Sequence, residues 1–397
     1  MTSITTDQVP ARARPGLWVF STLFFIEAMA RASLSTVIPL QAYSLLQEPR
    51  YVSYLGLALA LGGLLAGLAM PMLITRLSRR WTYTIGAVCL MAAALALMAD
   101  NLVGQVAGMA IRNLGSLALN ISLMLYIMDF VRKHELVRND SMRMAFATVG
   151  WTIGPYLGVW LYERIGPAAA FGWSAGWALV LIVVFWIFRL SDTSTIIPAK
   201  APPANPIEFV PRFFSQPRLV LAWMIAFGRS GFWGTLFVYG PILMKKTGEG
   251  SDAAGMLISL SQVLLISALL WGRIGGRIGL RPTIALCFAG MAVTLLLAGA
   301  AGERAPLLAG GILLITSFFA TGLDAVGGVP FYRAVRARER APMTAVYRSY
   351  LEIGDLLPNL VYGVVLLWLP LGAVFAVYGV ACVGFAWACW RWLPKGM

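Results

Sequence analysis

Eight ionisable side chains lie where the sequence is otherwise apolar enough to fill a membrane: Glu27, Arg31, Arg112, Arg229, Asp324, Arg348, Glu352 and Asp355. A charge at mid-bilayer costs roughly 2.5 to 3.5 kcal/mol, so such residues must face one another, a cavity or a partner. Their chemistry is ion pairing, solute binding and proton exchange. Carboxylates can take up a proton near neutral pH when desolvated, whereas arginine stays charged. Glu27 and Arg31 are one helical turn apart and share a face. That spacing fits a self-neutralising pair or a place at a binding site. Arg112 is followed at helical spacing by Ser116 and Asn120, and Arg229 is set among Trp223, Phe227, Phe232 and Trp233. Arg348, Glu352 and Asp355 follow one another at spacings of four and three, which predicts one polar helix face running on to Asn359. Asp324 is the lone acid of its stretch, with Thr321 one turn before it.

The elements that carry these residues are apolar stretches. Of 397 residues 59% are hydrophobic and 12% charged, and mean hydropathy is +0.77. A soluble domain of that composition would expose large apolar surface, so the chain is a polytopic membrane protein. Twelve stretches have spanning length: 17–45, 52–75, 81–99, 102–130, 141–162, 167–190, 218–244, 252–272, 282–301, 305–332, 342–368 and 370–393. Residues 191–217 between the sixth and seventh are rich in proline and read as a linker; within them residues 207–214 could instead lie along a membrane surface. The expected division is an N-terminal bundle over 1–190, a cytoplasmic linker over 191–217 and a C-terminal bundle over 218–397.

The net charge of +14 reports topology. With both termini in the cytoplasm, only Arg50, Arg164, Lys245, Lys246 and Arg304 fall in external loops. The basic balance therefore does not call for nucleic acid. The polar start runs straight into a first span holding Glu27 and Arg31, so no cleavable signal is apparent. Cys89, Cys287, Cys382 and Cys389 lie in apolar spans without metal-ligand spacing, and His134 sits in a charged loop beside Glu135. No nucleotide-binding loop, metal motif or nucleophile motif occurs, which argues against an enzyme or an ATP-driven pump and for a chain without cofactor.

The second span ends in a tight basic loop, Pro71 to Arg80, and Gly272 to Arg281 repeats its pattern about 200 residues later. Here the chain resembles the major facilitator superfamily, whose loop motif GxxxDRxGRR matches at Arg76, Arg79 and Arg80, and again at Gly272, Arg277, Gly279 and Arg281. Pro71, Thr75 and Ser78 depart from it. The fifth span holds Gly150, Gly154, Pro155 and Gly158, which match the GxxxGPxxG motif that the superfamily associates with antiporters. Glycine at three successive turns lets another helix approach closely, and Pro155 frees a carbonyl and permits a bend. The resemblance implies two pseudo-symmetric six-helix bundles that rock about a midplane site lined by helices 1, 4, 7 and 10.

These readings converge on a monomeric secondary active transporter of the bacterial inner membrane, coupling protons to efflux of a small organic or amphipathic compound. The alternatives are an importer or facilitator of a polar or anionic metabolite, a lipid flippase, or an assembly or sensor protein that moves nothing. The repeat aligns Arg229 with Glu27 and Asp324 with Asn120, so the sequence predicts an Arg229–Glu27 pair between the halves in at least one conformational state. Asp324, with no basic residue within two turns of it in the sequence, is the expected coupling carboxylate and Asp355 the second candidate.

Overall fold

The computed structural model describes residues 17–76, 79–130, 136–188, 206–335 and 340–394. Within the first half are α1 (Leu17–Ala32), α2 (Val37–Leu46), α3 (Pro49–Arg76), α4 (Arg79–Leu97), α5 (Leu102–Phe130), α6 (Leu136–Arg164) and α7 (Pro167–Ile187). The second half opens with α8 (Pro206–Phe214). It continues with α9 (Pro217–Lys246), α10 (Gly250–Val263), a single 3-10 turn at Leu264–Ser267, α11 (Ala268–Ile278) and α12 (Leu280–Ala301). The last elements are α13 (Pro306–Val326), α14 (Val329–Ala334), α15 (Arg340–Tyr347), α16 (Tyr350–Val365) and α17 (Gly372–Trp392). All twelve expected stretches are helical over most of their length, and ten helices among the described residues are long and apolar enough to cross a membrane. Proline sits in the first turn of α7, α9 and α13, where its missing amide costs no hydrogen bond.

The first expected span is two helices, broken at Ser33–Thr36. Hydroxyl side chains there compete with the backbone for its own hydrogen bonds: Ser35 Oγ donates to the Ala32 carbonyl at 2.7 Å. The orphaned carbonyls of the last turn of α1 are also taken by neighbouring helices. Ser174 of α7 donates to Ala30 at 2.7 Å, and Arg112 of α5 donates to Arg31 at 2.8 Å. A helix can therefore stop inside the apolar layer without leaving its end unsatisfied. The eleventh span is interrupted at Arg348–Ser349, between α15 and α16.

One apolar cluster holds the first half together around Phe20, Tyr83, Leu123, Tyr126 and Phe185. A larger one runs across both halves, joining Leu34, Val37, Val52 and Val159 to Leu236, Tyr239, Leu257 and Tyr362. It unites the halves at the end that carries α2, while α6 packs on α10 and α3 on α16. The last stretch of the expected linker is helical and docked. Phe213 of α8 is fully buried in a third cluster with Leu219, Phe331, Met343 and Val346, so this face is turned into the protein, while Val210 and Phe214 of the same helix are exposed. The rest of the linker, 191–205, and the loop 131–135 with His134 lie outside the described residues.

Candidate functional site

A cavity of about 230 Å³ lies between the halves. Gly56, Leu59 and Ala60 of α3 and Met109 and Asn113 of α5 form one wall. Gly234, Thr235, Val238 and Tyr239 of α9 form another, and Gly354, Asp355, Pro358, Asn359 and Tyr362 of α16 close it. The lining thus comes from the second, fourth, seventh and eleventh spans; the expected first and tenth do not contribute. Asp355 is the one carboxylate on it, exposed to the cavity and, among the described residues, without a cation in ion-pairing range. Small residues make the room, since Gly56 and Gly234 leave space that the Asn359 amide and the Asp355 carboxylate occupy.

At one end the cavity is shut by a chain of hydrogen bonds between the halves. Ser53 Oγ and Tyr239 Oη are 2.7 Å apart, and Tyr239 Oη donates to Asn359 Oδ1 at 3.0 Å. Tyr54 Oη donates across to the Gly363 carbonyl at 3.1 Å. Asn359 Nδ2 in turn donates to the backbone carbonyl of Asp355 at 2.8 Å, which ties the closure to the cavity's carboxylate by one turn of helix. Farther out, Lys245 Nζ donates to Ser44 Oγ at 2.7 Å and Arg164 lies 3.8 Å from Asp252, again between the halves.

The remaining charges form two groups, one in each half. In the first, Arg31 Nη1 lies 3.0 Å from Glu27 Oε1, and Glu27 is almost fully buried. Arg112 bridges to the same turn through the Arg31 carbonyl, so its partner is the broken end of α1, whose dipole presents negative charge there. Asn120 donates along its own helix to Ser116 at 2.9 Å. In the second half Arg229 Nη1 is 2.5 Å from Asp324 Oδ1, Arg229 Nη2 donates to Tyr350 Oη at 3.1 Å, and Trp233 Nε1 donates to Asp324 Oδ2 at 3.0 Å.

Three expectations change with this arrangement. Arg229 pairs with Asp324 of its own half and not with Glu27, because α9 packs directly on α13 whereas α1 belongs to the other half. Asp324 therefore has both its oxygens engaged, and the premise that made it the coupling carboxylate does not hold. Arg348 lies in the two-residue break before α16 and is exposed; no ion pair joins it to Glu352 among the described residues. The interruption takes Arg348 off the helix that carries Glu352 and Asp355, so spacing on one helix no longer brings them together.

The glycine face of α6 is packed within its own half. Gly150 faces Ala28 and Met29, Gly154 faces Ala32 and Ser33, and a β-carbon at Gly158 would collide with the Ser33 carbonyl. This face seats the break between α1 and α2 inside one half. The contact of α6 with the other half is made beside Pro155: the Tyr156 amide donates to Ser259 Oγ at 3.1 Å, Gly255 abuts Tyr156 and Val159, and Trp151 meets Phe237 edge to face.

The two basic loops are related by the repeat. The Arg80 guanidinium lies 3.7 Å from the centre of the Trp186 ring, and that of Arg281 lies 5.0 Å from the centre of Trp390. Each joins the third helix of a half to its sixth, an arrangement that the matching positions of both tryptophans could have signalled in the sequence. Gly279 turns between α11 and α12 at a φ of 91°, which glycine adopts without strain. Gly272 and Arg277 are exposed. The side chain of Arg76 lies outside the described residues.

The sequence matches the Major Facilitator Superfamily pattern over residues 20–266. The chain belongs to the Major Facilitator Superfamily. It is a transporter and not an enzyme. No curated protein matches it in sequence. Its fold is similar to the crystal structure of the nucleoside transporter NupG, with a TM-score of 0.73, 13% identity, and 94% of this chain and 98% of that one covered. A POT family transporter in complex with 5-aminolevulinic acid gives a TM-score of 0.75 and 12% identity, with 94% and 95% covered. A D-xylose-proton symporter gives 0.72 and 15%, with 96% and 97% covered. These similarities extend over both halves of the chain.

Proposed function

We propose that this superfamily member is a proton-coupled secondary active transporter that exchanges protons for a small organic solute bearing a cationic or hydrogen-bond-donating group. The observation that carries the reading is Asp355: a carboxylate on the cavity between the halves, with no paired cation among the described residues. A solute amine and a proton would compete for it, and mutual exclusion at one carboxylate is what makes exchange obligatory. Asn113, Asn359 and Tyr239 supply neutral hydrogen-bonding groups around it. At about 230 Å³ the space falls below the roughly 300 to 1,000 Å³ usual for drug-sized ligands, so the solute is metabolite-sized.

Alternating access fits the one-sided closure. With the basic loops in the cytoplasm, the Ser53–Tyr239–Asn359 contact is the outer gate and the state is inward-open. In this reading both termini and the 191–217 linker are on the cytoplasmic side of a bacterial inner membrane, and 1–190 and 218–397 are the rocking bundles of a monomer. NupG is a nucleoside transporter and the POT family transporter is in complex with 5-aminolevulinic acid, which supports a small organic solute here.

Proteoliposomes with an imposed pH difference test the reading. Asp355→Asn abolishes pH-driven accumulation of a substrate found by screening cationic and neutral metabolites and, because a solute amine loses its carboxylate, also weakens binding of a cationic substrate. Accumulation at the wild-type level in Asp355→Asn would remove Asp355 as the coupling group. Uptake in the same direction as proton flow would replace exchange with symport.

A further inference from the structure

A second concavity, of about 520 Å³, lies far from the transport cavity on the outer face of α12 and α17. Its floor is made by Ala285, Ala289 and Ala386, and its walls by Ile278, Leu286, Trp387 and Trp390. It is apolar almost throughout, and its walls are about half exposed: Leu286 is 48%, Trp387 60% and Trp390 57% accessible. Small side chains on both helices leave a groove where two membrane helices would ordinarily present a convex face to lipid.

Charge gathers at one end only. The Arg281 guanidinium stacks on the groove residue Trp390, and its Nε is buried without a hydrogen-bond partner. Arg277 precedes the groove residue Ile278 and is exposed, and Arg391 follows Trp390 and is exposed. Neither shares an ion pair with an acid among the described residues. A groove for hydrocarbon with cations at its mouth and tryptophans at its rim matches an amphiphile with an anionic head, because the rim indoles favour the interface and the arginines favour phosphate.

We propose that this groove is a binding site for one anionic phospholipid, its acyl chain along Ala285, Ala289 and Ala386 and its phosphate at Arg281. Arg281 then has two roles, since it also belongs to the loop motif that the repeat places between α11 and α12. The lipid would bear on the packing of α12 against α17, away from the solute cavity.

Native mass spectrometry of the full-length protein in mild detergent tests the site, with dioleoyl phosphatidylglycerol and dioleoyl phosphatidylcholine titrated separately. Wild type retains one phosphatidylglycerol with about tenfold preference over phosphatidylcholine, the sort of margin that one charge-assisted contact supplies. Arg281→Gln brings that preference near unity. Leu286→Trp fills the groove, keeps the arginine, and removes the bound lipid, which separates a groove site from loose attraction to a basic surface. Equal retention of the two lipids by wild type, or undiminished phosphatidylglycerol in Leu286→Trp, overturns the proposal. Displacement by millimolar inorganic phosphate also overturns it, because the acyl chain would then contribute nothing.

Discussion

Arg229 and Asp324 meet at 2.5 Å inside the second half, with Tyr350 on the arginine and Trp233 on the acid. The pair is partly accessible, 25% and 23% for the two side chains, so it is neither a dry core bridge nor a surface contact. It fixes α9 against α13, and α9 also carries four cavity residues and, in Tyr239, one side of the contact that closes one end of the cavity. Removing one member leaves the other charge without its partner, at a cost of about 1 to 3 kcal/mol. Arg229→Asp and Asp324→Arg singly should therefore lower the detergent melting temperature, and the double exchange should recover most of the loss. A double exchange no better than the worse single would show that Tyr350 and Trp233, and not the ion pair, hold the site.

That pair also shows what the sequence could reveal. The repeat aligns Arg229 with Glu27 and Asp324 with Asn120, and those alignments are compatible with the structure. The expected Arg229–Glu27 pair matches residues across the pseudo-symmetry axis, whereas in this conformation Arg229 pairs along neighbouring helices of one half. Helix positions, the repeat and the buried charges are legible because hydropathy and spacing record them directly. The breaks at Ser33–Thr36 and Arg348–Ser349 are not, since a run of apolar and hydroxyl residues reads as one span whether or not side chains from other helices cap its interrupted end. Asp355 is in view from the sequence as the second choice only; its lack of a partner depends on helix rotation, which periodicity on a single helix does not fix.

Gly154 and Gly158 give a graded test of the seat for the broken helix. A β-carbon at Gly158 would strike the Ser33 carbonyl, backbone that cannot swing aside, whereas one at Gly154 would come to 2.7 Å from the Ala32 methyl. Gly62 has nothing within 4 Å. Overpacking of this kind costs about 1 to 3 kcal/mol and sometimes more. Yield of folded protein should fall in the order Gly62→Ala, Gly154→Ala, Gly158→Ala, with the first near wild type. Equal yields from all three would mean that α6 can withdraw from α1 at no cost.

Tyr239 is the centre of the contact that closes one end of the cavity. Its hydroxyl, on α9, joins Ser53 of the first half to Asn359 of α16, and Tyr239→Phe keeps the ring while deleting both contacts. Each is worth about 0.5 to 1.5 kcal/mol, so the equilibrium should shift away from closure of this end by a few-fold or more. Spin labels at Gln47 and Glu249, on the loops next to that end, should report a larger population of long distances in the variant. Unchanged distance distributions would place the closing energy in the apolar packing of Leu34, Val37 and Val52 instead.

The last prediction concerns acid. Glu303, in the loop between α12 and α13, is partly buried, which pushes its carboxyl up. Hydrogen bonds from Lys246 Nζ at 2.8 Å and the Leu371 amide at 2.9 Å outweigh that and hold it below the ordinary carboxylate range. A group depressed in the folded state stabilises the protein above its unfolded pKa, and that contribution disappears as pH falls through the folded value. The clip between α9, this loop and the start of α17 should thus be intact from neutral pH down to about 4.3, the ordinary glutamate value, and loosen below it. Hydrogen exchange at the Leu371 amide, corrected for the intrinsic rate, should be slow and flat across roughly pH 5 to 7 in wild type. In Glu303→Gln the Lys246 pair is lost, and faster exchange should appear at every pH with no acid transition. A wild-type transition centred above the ordinary glutamate value would mean that burial, and not the two donors, governs this carboxylate.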